Sequence, residues 1–133
     1  MENTPSEFNG NKGFSFRKKE RLCSKKIIGK LFTEGTSFLV FPLKIQVIET
    51  QLPVPIPVQA AFTVSKKVFK KAVDRNLLKR RMREAYRLNK NNLYLNSGER
   101  QLAVFFIFIG KEITEYRQIE TAMQKALKKI GHY

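Results

Sequence analysis

The stretch AVDRNLLKRRMREAYR, residues 72–87, combines the composition of a helix with an unusual concentration of positive charge. It contains good helix formers and no Gly or Pro, which predicts a helix that continues to about Lys90. Side chains four positions apart share one face of a helix. Two neighbouring polar columns are therefore predicted, with Arg75, Lys79, Arg83 and Arg87 in the first and Asn76 and Arg80 in the second.

The other side of this basic helix is apolar and is predicted to pack on a sheet through Leu78, Met82, Ala85 and Tyr86. Cations at helical spacing repel one another, whereas phosphates bound between them make the net electrostatic energy favourable. Arginine pairs with two phosphate oxygens at once, and the Asn76 amide suits a ribose hydroxyl or a base edge. A merely solvated face is the alternative, but only Asp74 and Glu84 are available to pair with the cations.

Two further groups of cations surround this helix in the sequence. The turn SKKVFKK, residues 65–71, contributes Lys66, Lys67, Lys70 and Lys71 just before the helix start, where free amides also favour phosphate. Nearer the N-terminus, Phe14 and Phe16 alternate with Arg17, Lys18, Lys19 and Arg21. Aromatic rings among cations favour single-stranded nucleic acid. The alternative is that these rings seal the edge of the core, and both interpretations stay open here.

Composition agrees with a nucleic-acid partner. The chain has 133 residues, 42% of them hydrophobic, which is enough for one domain with a real core. A net charge of +15 predicts a polyanionic partner, with nucleic acid first and an anionic membrane surface second. We expect residues 1–13 to be a disordered tail and residues 14–133 to be a single domain.

Hydrophobic patterns predict the remaining elements. An amphipathic helix is expected from Arg21 to Phe32, followed by a short strand, a break at Pro42 and a longer strand to about residue 50. The Pro-rich segment 51–57 is typical of an extended loop. Strands are predicted at 58–64 and 102–109, and a last helix from Tyr116 stops at Gly131. The order indicates an α+β sandwich of helices and one sheet.

No catalytic or metal-binding constellation is recognisable in the sequence. Cys23 is the single cysteine, His132 is the single histidine, and the acids are scattered without metal-ligand spacing. We therefore predict no catalytic residue and no metal ligand, and any chemistry is expected to reside in the partner. The polar start and the lack of a long apolar run predict a cytoplasmic protein without a membrane segment.

The segment FTVSKK at 62–67, followed by AVDRNLLKRRMRE at 72–84, strongly resembles the signature of the bacterial ribonuclease P protein subunit. The segments FSFRKKERL at 14–22 and LFTEGTS at 31–37 are similar to the N-terminal region of that family, in the same order. The resemblance extends from Phe14 to the last helix. The central motif is long and specific, whereas the end segments match only in pattern.

The resemblance implies a protein that assists a catalytic RNA in removing the 5′ leader from precursor tRNA. Hydrolysis would be carried out by the RNA subunit with Mg²⁺, and no small-molecule cofactor is implied. By family pattern, the contacts to the RNA subunit would come from Arg75, Asn76, Lys79, Arg80 and Arg83, with Lys66 and Lys67 nearby. The leader would lie in a cleft between the first helix and the sheet, for which the candidate residues are Phe14, Phe16, Arg17, Ile28 and Phe32.

The resemblance also implies a two-layer αβββαβα sandwich of the ribosomal-protein-domain-2-like type, with a left-handed βαβ crossover. General rules alone would give the right hand, which occurs in about 98% of parallel crossovers. Three positions depart from the family pattern: Leu77 replaces a basic residue, Phe69 stands in a loop that commonly has a glycine, and Ile28 stands where an aromatic is frequent. Leu77 either removes an RNA contact or turns toward the core.

Other classes of protein share some of these features. A ribosome-associated protein or an RNA chaperone would have a similar charge and a similar fold without the strand-to-helix signature. A DNA-binding module is disfavoured because neither a helix-turn-helix pair nor a dimerising heptad is visible. A membrane-surface protein is disfavoured because the apolar segments are needed for the core.

Overall fold

The structure is a computed structural model that describes residues 16–96 and 98–131. The predicted N-terminal tail, Phe14 and His132 lie outside these residues. The described ranges contain four strands, β1 (Thr36–Val40), β2 (Leu43–Glu49), β3 (Val58–Val64) and β4 (Leu102–Phe108). They also contain four α-helices, α1 (Lys25–Glu34), α2 (Ala72–Asn89), α3 (Asn91–Asn96) and α4 (Tyr116–Gly131).

The strands form one mixed sheet in the order β1-β2-β4-β3. β1 pairs with β2 and β2 pairs with β4 in antiparallel fashion, whereas β3 and β4 are parallel. Parallel neighbours require a connection that crosses one face of the sheet, and α2 lies in that connection. The predicted α+β sandwich is confirmed, while the left hand of the crossover stays a prediction.

The two faces of the sheet are covered unequally. On one face, which we call the α2 face, the strands pack against α2 and α4 around the rings of Phe62, Tyr86 and Phe106. The apolar side of the basic helix is confirmed, since Leu78, Met82, Ala85 and Tyr86 are all buried. The opposite face, the α1 face, carries a smaller cluster in which Leu31 meets Ile48 and Ala103. Helix α1 therefore adds a partial third layer to the predicted sandwich.

The first helix begins four residues later than predicted. The Ser24 hydroxyl caps it by accepting a hydrogen bond of 3.3 Å from the Ile27 N–H, and the helix ends at Glu34. The prediction that it begins at Arg21 was wrong, because the Leu22 N–H donates to the Ala60 carbonyl at 2.9 Å and holds this segment along β3. A long-range backbone contact thus overrides the local helical pattern.

Helix α3 was not predicted from the sequence. It follows α2 after Lys90, and its Leu93 side chain is buried in the main core. Apart from Leu93, Tyr94 and Leu95, residues 91–101 are polar or Gly and show no apolar periodicity, so burial of Leu93 rather than a local pattern accounts for α3.

The Pro-rich loop between β2 and β3 is held by one side chain. The Gln101 amide accepts a hydrogen bond from the Leu52 N–H and donates to the Val54 and Ile56 carbonyls, each at 2.9 Å. These bonds replace the ladder that the prolines exclude. None of the helices in the described ranges is both long enough and apolar enough to traverse a bilayer.

Candidate nucleic-acid interface

The outer side of α2 presents cations that the rest of the described chain leaves available. Lys79 is half-exposed, Arg80 and Arg83 are exposed, and none of the three has a hydrogen bond or ion pair within residues 16–96 and 98–131. Together with Asn76 and Leu77 they line a shallow groove. We call Lys79, Arg80 and Arg83 the α2 ridge. Leu77 is half-buried in this groove, so it supplies apolar surface beside the cations.

The remaining three guanidinium groups of α2 are bound within the fold. Arg75 Nη1 donates to the Phe69 and Lys70 carbonyls at 2.8 and 2.9 Å, and Arg81 Nη1 donates to the Thr114 carbonyl at 2.6 Å. Arg87 forms an ion pair with Glu84. The predicted column from Arg75 to Arg87 is therefore engaged at both ends, and only its middle belongs to the α2 ridge.

The pair between Arg87 and Glu84 has bidentate geometry. Arg87 Nε lies 3.0 Å from Glu84 Oε1, and Nη2 lies 2.6 Å from Oε2. Hydrogen bonding from Arg87 lowers the pKa of Glu84. The pair keeps both side chains partly exposed, so its contribution to stability is small, about 0–1 kcal/mol. Its main effect is to neutralise this end of α2.

The segment Ser65–Lys71, which we call the basic loop, exposes Lys66, Lys67, Lys70 and Lys71. Phe69 points the other way: it is buried, and its ring centroid lies 5.9 Å from that of Phe108. The departure from the family pattern at this position thus adds a hydrophobic anchor under the loop. The sequence signal was present, since a single aromatic among four lysines favours burial of the ring.

Phe16 does not line the α1 face. The Phe16 ring packs at 5.7 Å from both Phe62 and Tyr86, which places it on the α2 face. Arg17 is exposed beside it, and the Arg21 guanidinium lies 5.8 Å from the centre of the Phe16 ring. The aromatic rings of this segment were predicted either to stack on nucleic acid or to seal the edge of the core, and Phe16 does the second. The structure therefore separates Phe16 from Ile28 and Phe32.

A buried polar network fixes the N-terminal segment. The Glu20 carboxylate forms an ion pair with Lys90. It also accepts hydrogen bonds from the Tyr94 hydroxyl at 2.7 Å and from the Arg17 N–H at 2.8 Å. Burial by itself raises the pKa of Glu20, but these hydrogen bonds and the Lys90 charge outweigh it, and the pKa lies below its usual value. Burial raises the pKa of Tyr94, which keeps its hydroxyl a donor. Nothing in the sequence pattern indicated this network.

The α1 face is open beyond the helix that partly covers it. Phe32 is 49% exposed and its ring lies 5.3 Å from that of Phe105, while Ile28 packs half-buried in the cluster below. Two residues further along β4 from Phe105, a row of residues paired across the four strands lies on the same face of the sheet. The row consists of Leu39, Lys44, Ile107 and Thr63. None of these four is buried. The continuous apolar run at 102–109 predicts a strand covered on both faces, so the open part of this face was not signalled by the sequence.

The carboxylates of the described segments are dispersed. Across residues 16–96 and 98–131 there is no group of three His, Cys, Asp or Glu side chains arranged to hold a metal ion.

These features define a small, strongly basic α+β protein with a cationic helix on one side of a mixed sheet and an open apolar surface on the other. The sequence profile of the family described as Ribonuclease P matches residues 16–131. The chain belongs to the ribonuclease P protein family.

Individual relatives agree with that assignment. The ribonuclease P protein component of Porphyromonas gingivalis is 38% identical over 120 residues, which cover 89% of this chain and 88% of that protein. The corresponding protein of Chlorobaculum tepidum is 38% identical over 94 residues, covering 63% and 60%.

Solved structures show the same fold. The RNase P protein of Staphylococcus aureus matches with a TM-score of 0.67 at 19% identity, over 83% of this chain and 94% of that one. The RNase P protein from Thermotoga maritima matches with a TM-score of 0.66 at 23% identity, over 83% and 96%.

Proposed function

We propose that this chain is the protein subunit of a ribonuclease P ribonucleoprotein and assists its RNA in removing the 5′ leader from precursor tRNA. The observation that carries the proposal is the family match across residues 16–131, which includes the strand-to-helix signature. A ribosome-associated protein or RNA chaperone would not be expected to carry that signature.

The surface proposed to bind the RNA subunit is the α2 ridge together with the basic loop. Lys79, Arg80 and Arg83 stand on a helix anchored by a buried apolar side, so the backbone from which their side chains project is fixed before binding. Like charges that repel in the free protein are stabilised when phosphates lie between them. The half-buried Leu77 and the exposed Asn76 border these cations and are available for ribose or base contacts.

The surface proposed to bind the leader is the open part of the α1 face. Phe32 and Phe105 offer a ring pair on which an unpaired base can stack. Lys44 lies on the same face of the sheet, two residue pairs along the strands from Phe105, where it can meet a phosphate. Of the residues predicted to line the leader cleft, Ile28 and Phe32 remain part of this proposed surface. Phe105 takes the place that was predicted for Phe16. Base stacking of this kind tolerates different sequences, as a subunit that meets many leaders requires.

Hydrolysis and Mg²⁺ are assigned to the RNA subunit as part of the proposal. Within residues 16–96 and 98–131, no three acidic, Cys or His side chains converge. Because Mg²⁺ in such sites is held largely by phosphates and water, the proposal places it on the RNA. The role left to this chain is binding and orientation: its cations neutralise phosphates of the RNA subunit, and its α1 face holds the leader.

The division of labour is tested by cleavage of precursor tRNA with the RNA alone, the protein alone and both together. At low Mg²⁺ we expect the protein to raise cleavage by the RNA, because its cations take over part of the charge neutralisation that Mg²⁺ otherwise supplies. The purified protein alone is expected to cleave nothing. RNA activity that is indifferent to the protein at low Mg²⁺ would remove the proposed function, and cleavage by the protein alone would refute the assignment of the chemistry.

The Phe32→Ala variant tests the leader surface. We expect it to weaken binding of precursor tRNA by the holoenzyme by about 1–3 kcal/mol, the value of one stacked base, and to leave binding of mature tRNA unchanged. Equilibrium binding of both RNAs to the reconstituted holoenzyme measures this difference. Phe41→Ala is the matched control, because Phe41 is also exposed but stands in the turn between β1 and β2. Equal effects of the two substitutions would contradict the assignment.

A further inference from the structure

Arg75 is half-buried in the first turn of α2, and its side chain turns back toward the preceding loop. Its Nη1 atom donates to two successive carbonyl oxygens, those of Phe69 at 2.8 Å and Lys70 at 2.9 Å. One terminal nitrogen of a guanidinium carries two N–H groups, so both donors of Nη1 are used by the backbone. This edge of the planar group is therefore not available to an RNA phosphate.

The basic loop has few other supports. The Phe69 ring is packed on Phe108, and the Phe69 N–H donates to the Ser65 carbonyl at 3.0 Å. The Ser65 hydroxyl accepts the Lys67 N–H at 3.1 Å. Within the described residues, no hydrogen bond or ion pair engages any of the four loop ammonium groups.

Four ammonium groups within six residues repel one another, and this repulsion favours an open, extended loop. The two carbonyls that accept from Arg75 bring the partial negative charge of the backbone against a cation, which opposes that opening. We call the two hydrogen bonds from Arg75 to these carbonyls the Arg75 clamp. Because the clamp holds the loop in place before it meets RNA, the loop loses less conformational freedom on binding.

We propose that Arg75 is a positioning residue for RNA binding, which acts by holding the basic loop so that Lys66, Lys67, Lys70 and Lys71 face the RNA subunit. The inference rests on the proposed function. It differs from the expectation that Arg75 contributes a phosphate contact of its own along the basic helix, because its effect on affinity passes through the lysines of the loop.

A double-mutant cycle separates these roles, with an in vitro transcribed bacterial ribonuclease P RNA as the probe. Arg75→Ala is expected to lower the affinity about tenfold, because the variant loop must lose on binding the conformational freedom that the wild-type loop has already lost. In a background in which the four loop lysines are replaced by alanine, the same substitution is expected to have almost no further effect. Arg83→Ala is the control, and its effect is expected to persist in that background. A tenfold loss from Arg75→Ala that also persists there would overturn the proposal.

A second measurement needs no RNA and keeps the clamp distinguishable from the proposed function. Amide hydrogen exchange in the free protein is expected to accelerate at Lys67 and Phe69 in Arg75→Ala, and also in Arg75→Lys, whose shorter side chain does not span both carbonyls. Exchange in the core strand β4 is expected to stay unchanged, which shows that the variants remain folded. Unaltered exchange at Lys67 and Phe69 would overturn the clamp. A wild-type chain that binds no RNA would instead refute the proposed function.

Discussion

Replacing Lys79, Arg80 and Arg83 together by alanine is expected to lower the affinity for the RNA subunit on the order of a hundredfold or more at near-physiological salt. These are the cations of α2 that no carbonyl or carboxylate of the described chain engages. Each cation that meets a phosphate contributes both directly, as a charge-assisted hydrogen bond, and through release of counterions. The reduction is expected to be nearly independent of RNA sequence, because phosphates carry no sequence information.

The salt dependence provides the sharper measurement. The slope of log affinity against log salt concentration is expected to become shallower by about 0.7–0.9 for each phosphate that the protein no longer neutralises, hence by about two to three for the triple variant. Equilibrium binding over a range of salt concentrations gives this slope directly. The fold is expected to be retained, since alanine is the best helix former and three mutually repelling charges are removed.

A matched control removes the same charge elsewhere. Arg117, Lys125 and Lys128 are exposed on α4, and their replacement by alanine also lowers the net charge by three. If binding depends on a defined surface, this variant keeps most of the wild-type slope. Equal reductions in both triple variants would mean that net charge alone attracts the RNA, and an unchanged slope in the α2 variant would show that the wrong face of the protein had been assigned.

Breaking the ion pair between Glu20 and Lys90 is expected to cost about 3–5 kcal/mol of the free energy of unfolding. Both residues are buried, with exposed fractions of 6% and 3%, so Lys90→Met leaves a carboxylate in the protein interior without its cation. Urea unfolding followed by circular dichroism at neutral pH measures the loss. The same substitution is expected to loosen the N-terminal segment, because the Glu20 carboxylate also accepts the Arg17 N–H.

The double variant Glu20→Gln/Lys90→Met tests the mechanism. It removes both charges at once, so we expect it to be more stable than Lys90→Met alone. Glu84→Gln serves as the surface comparison, since it breaks the partly exposed pair with Arg87 and is expected to cost no more than about 1 kcal/mol. A loss in Lys90→Met as small as that of Glu84→Gln would contradict the assigned role of the buried pair.

The same network predicts a pH dependence. Because the pKa of Glu20 is lowered in the folded protein, its contribution is fully present above the unfolded value of 4.5 and is lost as the pH falls through the folded value. The wild-type chain is therefore expected to lose stability below about pH 5. In Glu20→Gln this part of the acid-induced loss is expected to be missing, which unfolding curves at pH 4 and pH 7 would show.

Most of the fold was predictable from local patterns. Alternation of apolar residues indicated β2, a continuous apolar run indicated β4, and the spacing of Leu78, Met82, Ala85 and Tyr86 indicated the buried side of α2. The family could also be identified, because the segment from the end of β3 into α2 carries a long motif. The errors lie at α1 and α3, where a contact to β3 and burial of Leu93 decide the conformation.

The candidate site was predictable only in part, and the sequence by itself determined its charge and its helix. The sequence placed six cations on α2, and the helical period of 3.6 residues per turn predicts the side of the helix to which each one points. Only the tertiary structure decided which of them are available to a partner. The acceptors that engage Arg75 and Arg81 are backbone carbonyls, which every residue has and no motif marks, and for Arg81 the acceptor belongs to a loop 33 positions away. Likewise, Phe16 joined the α2 face because packing of the folded chain brought it onto Phe62 and Tyr86.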